Sequence, residues 1–152
     1  MIKKNLIKIL ILLFFISGCG YSPIFSNKEN NFSVIILNST GNSKLNKIIE
    51  KKLNRYNSSD GKKEFTLKIN TKLDKIISSK DSKGNPKTFT ININSKIIIK
   101  DPAGKLSEKE YYKSINYNNK NNKFDLYKYE KEIEKNIVEK IAEELIIYLQ
   151  SI

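Results

Sequence analysis

The residues best suited to chemistry lie near the start of the chain, where Ile16, Ser17 and Gly18 precede Cys19. Small residues leave the peptide bond before a cysteine open to a signal peptidase, and the thiol can accept a diacylglyceryl group. Cleavage after Gly18 then frees an amine that takes a further acyl chain. Cys19 is the only cysteine, so it has no partner for an intrachain disulfide. The pattern predicts S-diacylglycerol and an N-acyl group, such as palmitate, on Cys19.

Residues 1–18 have the features of a signal peptide. Lys3 and Lys4 give a positive start, and the apolar run Ile9–Ile16 follows. A helix that spans a bilayer needs about 20 apolar residues, so this shorter run fits the apolar core of a signal peptide. Gly20, rather than Asp, follows the cysteine, which favours the outer membrane. We therefore expect a lipid anchor on its periplasmic side and no nucleic-acid partner.

Paired carboxylates are the other residues that could do chemistry, at Glu108 with Glu110 and at Glu143 with Glu144. The chain has no histidine, which removes the commonest general base. No nucleophile elbow, phosphate-binding loop or metal-ligand spacing accompanies either pair. Solvated surface charges are the favoured interpretation. We expect no enzyme activity, no metal and no cofactor beyond the covalent lipid.

The basic charge has two interpretations. Lys and Arg number 28 against 16 acidic residues, for a formal net charge of +12, yet only Arg55 is an arginine. A Lys-, Asn- and Ile-rich composition is typical of an AT-rich genome, which would make the charge compositional. Alternatively, Lys68, Lys72 and Lys96, expected on the polar face of one sheet, bind a phosphate-rich lipid head group.

The elements that position these lysines follow from hydrophobic periodicity. Ser43 can cap the first helix, and Ser78–Lys87 is expected to be a hairpin loop. The expected elements are a strand at 32–37, a helix of about 12–14 residues from Ser43, a strand from Phe65 to about Ile77, a strand at 89–99, a turn at 101–104, a strand at 106–117 and a helix at 125–150. The order β-α-β-β-β-α predicts an α+β two-layer sandwich, with a four-stranded, mostly antiparallel sheet and two helices on one face.

The same patterns predict the domain organisation. A signal peptide at 1–18 is followed by a lipidated N-terminus and short tether at 19–31, and then by a single domain at 32–152. The tether spans at most roughly 40 Å when extended, so the domain is expected close to the membrane.

The segment that begins at Cys19 resembles the start of mature LPS-assembly lipoproteins of the LptE family. That opening is Cys-Gly, an aromatic residue, a variable residue, Pro, an aliphatic residue and an aromatic residue. The matching positions are Cys19, Gly20, Tyr21, Pro23, Ile24 and Phe25. The element order, the strand segment Ser114–Tyr117 and the closing amphipathic helix are also similar, so the resemblance covers nearly the whole mature chain.

The resemblance implies an outer-membrane lipoprotein subunit of the LPS translocon, without a covalent step. Such a subunit plugs an LptD-like LPS-transport β-barrel, helps it assemble and contacts lipopolysaccharide on its way to the outer leaflet. Contacts with the barrel are implied for the expected hairpin loop, at Lys80, Lys83, Pro86 and Lys87. Contacts with LPS are implied for Lys68, Lys72 and Lys96. One feature departs from the family: the chain has a single arginine, so strong bidentate binding of lipid phosphates by arginine side chains is not expected.

An alternative function keeps the lipid anchor but changes the cargo. An auxiliary lipoprotein of a phospholipid, ABC-type intermembrane transport system would also be exported and anchored. That function calls for an apolar cavity inside the domain, for which the two-layer pattern leaves little room.

Overall fold

The computed structural model describes residues 32–57 and 63–152. The predicted signal peptide, the lipid site at Cys19 and the tether at 19–31 lie outside the described residues. The elements are β1 Phe32–Gly41, α1 Ser43–Leu53, a 3-10 helix Asn54–Tyr56, β2 Lys63–Lys80, β3 Pro86–Lys100, β4 Leu106–Asn118 and α2 Lys123–Ser151. The predicted order β-α-β-β-β-α is confirmed.

The four strands form one mixed sheet in the order β1-β2-β3-β4. β1 and β2 are parallel, with α1 between them in the chain because parallel neighbours need a crossover. β2 and β3, and β3 and β4, are antiparallel hairpin neighbours. The α+β class and the mostly antiparallel sheet are therefore confirmed.

The core lies between one face of the sheet and the two helices. Alternate residues of the strands face inward, as the period of two requires. The largest inward side chains of the sheet are Phe65, Leu67, Ile69, Ile91, Ile93, Ile97 and Ile99, all at most 2% exposed. α1 packs on β1 and β2, α2 packs on β3 and β4, and the helices contact each other. Among residues 32–57 and 63–152, no helix packs on the opposite sheet face.

The N-cap of α1 differs from the expectation by one residue. The N-cap of α1 is Asn42, not Ser43, and its side chain accepts a hydrogen bond from the Leu45 backbone N–H at 3.2 Å. Asn122 caps α2 in the same way, accepting from Phe124 N–H at 2.8 Å. Asparagine is as good an N-cap as serine, so sequence alone does not separate the two candidates before α1.

The expected hairpin loop Ser78–Lys87 is wrong in its extent. β2 continues to Lys80 and β3 begins at Pro86, which leaves a turn at 81–85. The hydroxyls of Ser79 and Thr88 bond across the strands at 2.6 Å. These end residues are polar on both faces, so no alternation of hydrophobicity marks them as strand. Pro86 is tolerated because it is the first residue of its strand.

Candidate functional site: the outer sheet face and the distal hairpin

The three lysines predicted to share one face of the sheet do lie together. Lys96 is paired across the strands with Asn70, and Lys68 and Lys72 flank Asn70 along β2. Residues two apart on a strand share a face, and diagonal neighbours across a pair lie about 7–8 Å apart. The register therefore gathers Lys68, Lys72 and Lys96 around one asparagine on the face away from the helices.

β4 brings carboxylates against one of these lysines. Lys96 Nζ lies 2.8 Å from Glu108 Oε1, and this hydrogen bond and charge raise the pKa of Lys96. Glu110, the direct partner of Lys96 across the strands, accepts a hydrogen bond from Asn94 Nδ2 at 2.6 Å. Because its ammonium group is already paired with Glu108, Lys96 is less available to an external anion.

Lys68 and Lys72 are the more available cations on this face. Both are exposed. Within residues 32–57 and 63–152, no carboxylate oxygen lies within 4.0 Å of either ammonium group. An ammonium group is a mobile point charge on a flexible stem, so this pair can approach a phosphate but cannot grip it in a fixed orientation.

A ladder of polar side chains between the lysines was missed by the sequence reasoning. Asn92 Oδ1 accepts hydrogen bonds from Tyr112 Oη at 3.0 Å and from Ser114 Oγ at 2.7 Å. In the described part of the chain, the Oδ1 atoms of Asn70 and Asn94 are shielded from solvent and accept no hydrogen bond. The alternation of Asn and Lys in strands 2 and 3 was the signal that could have found this ladder.

The distal hairpin, defined as residues 76–88, joins β2 to β3 at one end of the sheet. At its base Phe89 stacks on Tyr117 with ring centroids 5.7 Å apart. Tyr117 Oη donates to Glu130 of α2 at 2.8 Å, and burial and this bond raise the pKa of Tyr117. Beyond that base every residue from 76 to 85 is exposed.

The distal hairpin has an apolar part and an ordered turn. Ile76 and Ile77 are 52% and 49% exposed, and because they are adjacent they point to opposite faces of the sheet. In the turn, Asp81 Oδ1 accepts from the backbone N–H groups of Lys83 and Asn85 at 2.9 and 2.8 Å. Hydrogen bonds led by those from Asn85 hold the pKa of Asp81 below its usual value.

The structure separates the four residues predicted to contact a barrel. Lys83 lies in the turn, whereas Lys80 ends β2 and Pro86 and Lys87 begin β3. They still form one end of the molecule, because Lys80 and Pro86 are paired across the hairpin. The predicted loop is therefore the ordered end of the sheet with a turn at 81–85, and Asn119 donates to the carbonyl oxygens of Lys87 and Pro86 on its β3 side.

The described residues offer neither a metal site nor a membrane-crossing helix. In 32–57 and 63–152, no three acidic, cysteine or histidine side chains converge as a metal ion would require. No helix in the same ranges is both long enough and apolar enough to cross a bilayer.

The arrangement of two helices over one face of a four-stranded mixed sheet defines a fold that recurs among small bacterial lipoproteins. Rare lipoprotein B from Shewanella oneidensis has it, with a TM-score of 0.60 and 12% identity over 79% of this chain and 93% of that one. Lipoprotein B from Nitrosomonas europaea gives a TM-score of 0.52 at 10% identity, over 79% and 85%. The fold implied by the family resemblance is thus confirmed.

A third solved structure extends the same likeness. The minor lipoprotein from Acinetobacter baumannii matches with a TM-score of 0.51 and 11% identity, over 73% of this chain and 87% of that one. No family model and no curated protein matches the sequence. At these identities the comparisons establish a shared fold, and function has to be argued from the surfaces.

Proposed function

We propose that this chain is an outer-membrane lipoprotein subunit of the LPS translocon. It is anchored by lipid on Cys19 on the periplasmic side, plugs and helps assemble the LPS-transport β-barrel, and assists delivery of lipopolysaccharide to the outer leaflet. One observation carries the proposal: a domain with the fold of rare lipoprotein B directly follows a lipidation motif and the Cys19–Phe25 opening. The role is binding, with no enzymatic step.

The two candidate surfaces suit the two proposed partners. The distal hairpin offers Ile76 and Ile77, exposed on opposite faces of the sheet, and enclosure of this end by the barrel would bury both. The outer sheet face offers Lys68 and Lys72 to anionic groups of LPS. Lys96 contributes less to this second surface, because Glu108 holds its ammonium group.

Polar replacement of the two exposed isoleucines is expected to weaken the complex with the barrel. In Ile76→Ser/Ile77→Ser, at least about tenfold less barrel should co-purify with the tagged chain, since half-exposed isoleucines lose on the order of 1 kcal/mol each when their burial is lost. Leu106→Ser is the matched control, because Leu106 is 67% exposed at the opposite end of β3 and β4. Equal recovery of the barrel with both variants would remove the distal hairpin from the interface.

Depletion of the chain tests the function itself. Surface LPS is expected to fall, and the lipid-anchored chain is expected to pull down one outer-membrane barrel of about 16 or more strands, wide enough to enclose a domain. Unchanged surface LPS contradicts the proposal. Unchanged LPS together with altered phospholipid distribution between the membranes would instead support the transport lipoprotein alternative.

A further inference from the structure

A second basic surface lies on the helix layer, in a groove of about 420 Å³ between α1 and α2. Lys47, Lys51 and Lys52 line it from α1, Arg55 from the 3-10 helix, and Lys135 and Glu139 from α2. Ile48, half-buried and packed against the core, forms an apolar wall. The chain's one arginine therefore lies in the same groove as four lysines, all of them on the helix layer.

The cations around the groove outnumber the acidic groups. Lys52 and Glu139 both line it, and Lys52 Nζ lies 3.4 Å from Glu143 Oε1 and 4.0 Å from Glu139 Oε2. Over the described ranges, no carboxylate oxygen lies within 4.0 Å of the ammonium groups of Lys47, Lys51 or Lys135. The groove therefore keeps a surplus of positive charge.

The spacing of these cations works against α1 in the absence of an anion. Lys47 and Lys51 are four residues apart on the helix, and like charges at that spacing repel each other and destabilise the helix. Arg55 follows after a further four residues. α1 has no acidic residue in its first turn, although Lys51 gains some stability from its place in the last turn. A bound anion would remove the repulsion.

We propose that the α1–α2 groove binds the phosphate monoester head of a phosphorylated lipid. The lysines supply point charges, and Arg55 adds a further cation to the lining. The groove is larger than a phosphate group, and Ile48 and the lysine methylenes present apolar surface to the adjoining part of an amphiphile. The site lies on the opposite layer from Lys68 and Lys72, so it does not depend on the proposed function.

Titration with a soluble phosphatidic acid tests the groove. The full chain in neutral detergent is titrated with dihexanoyl phosphatidic acid, and backbone amide shifts are followed by NMR. Saturable shifts are expected in α1, the 3-10 helix and the facing part of α2. The dissociation constant should rise at least about tenfold in Lys47→Gln/Lys51→Gln/Lys135→Gln, because each lysine near an anionic lipid contributes about fivefold.

A second triple variant controls for net charge. Lys100→Gln/Lys105→Gln/Lys123→Gln removes three exposed lysines that lie outside the groove and outside the proposed LPS-binding surface, and should leave the affinity close to that of the unaltered chain. Equal weakening by both triple variants, or an absence of saturable binding, overturns the proposal. Inorganic phosphate and dihexanoyl phosphatidylcholine form the remaining arms. Binding of free phosphate as tight as that of the lipid, or equal binding of the choline lipid, also overturns it.

Discussion

A Cys19→Ala chain is expected to incorporate no labelled palmitate and to accumulate as a precursor that keeps residues 1–18. Alanine has no thiol to accept a diacylglyceryl group, and the lipoprotein signal peptidase acts after that step. The apolar run Ile9–Ile16 would hold the precursor at the inner membrane, so membrane association alone is not the measurement. Fatty-acid labelling, electrophoretic mobility and fractionation of the two membranes are the measurements. Labelled palmitate on the variant would refute lipidation at Cys19.

Gly20→Asp is the matched control for this prediction. The neighbouring residue changes while the thiol remains, so lipidation and cleavage should proceed normally. Aspartate after the lipidated cysteine commonly retains lipoproteins at the inner membrane, and the variant is expected there. Two or more acyl chains are enough for stable anchoring, so both the unaltered chain and Gly20→Asp should remain membrane-bound. The pair of variants separates the anchor from the sorting signal.

The fold is predictable where one face of an element is buried. The alternation of Phe65, Leu67 and Ile69 gives the orientation of β2, because the side-chain period is two. The same parity puts Lys68 and Lys72 together on the other face. Prediction fails from Ser78 to Lys80, where the strand has left the core and both faces are polar. Hydrophobic pattern carries no information about a strand that buries nothing.

Contacts between distant segments could not be predicted. The pairing of Lys96 with Glu108 depends on the register of β3 with β4, which the intervening turn sets. The α1–α2 groove depends on how α1 packs against α2, because its lining residues Lys51 and Lys135 are far apart in the sequence. The strand pattern brings together Lys68, Lys72 and Lys96 because they lie on neighbouring strands. Nothing in the pattern brings together the lysines of the two helices.

The two basic surfaces differ in what they can do to an anion. On the outer sheet face, Lys68 and Lys72 act beside amide groups, and Glu108 and Glu110 lie on the neighbouring strand. In the α1–α2 groove, four lysines, Arg55 and a single carboxylate, Glu139, surround Ile48. The first arrangement suits transient contact with a moving polyanion, and the second, with more cations around one space, suits retention of one phosphate. A chain that handles a phosphorylated lipid could use both.

Gly41 is the position where a single methyl group is expected to destabilise the domain most. It ends β1 with φ of +81°, and a Cβ there would lie 2.3 Å from the Thr71 carbonyl oxygen. That oxygen also accepts the backbone N–H of Asn42 at 2.7 Å. Thr71 cannot retreat, because its fully buried hydroxyl is bonded to Ser95 at 3.0 Å inside the core. The end of β1 and the cap of α1 would have to move instead.

Gly41→Ala is therefore expected to lower the free energy of unfolding by about 3 kcal/mol, from a left-handed backbone penalty of about 1–2 kcal/mol and overpacking of about 1–3 kcal/mol. Gly84→Ala isolates the first contribution, because Gly84 has φ of +84° and no atom within 4 Å of an added Cβ. It should cost only about 1 kcal/mol, since alanine also restricts the unfolded chain. Urea unfolding followed by circular dichroism measures both variants. Equal losses would mean that the approach of Gly41 to Thr71 is easily relaxed, and that β1 is not fixed against β2 at this point.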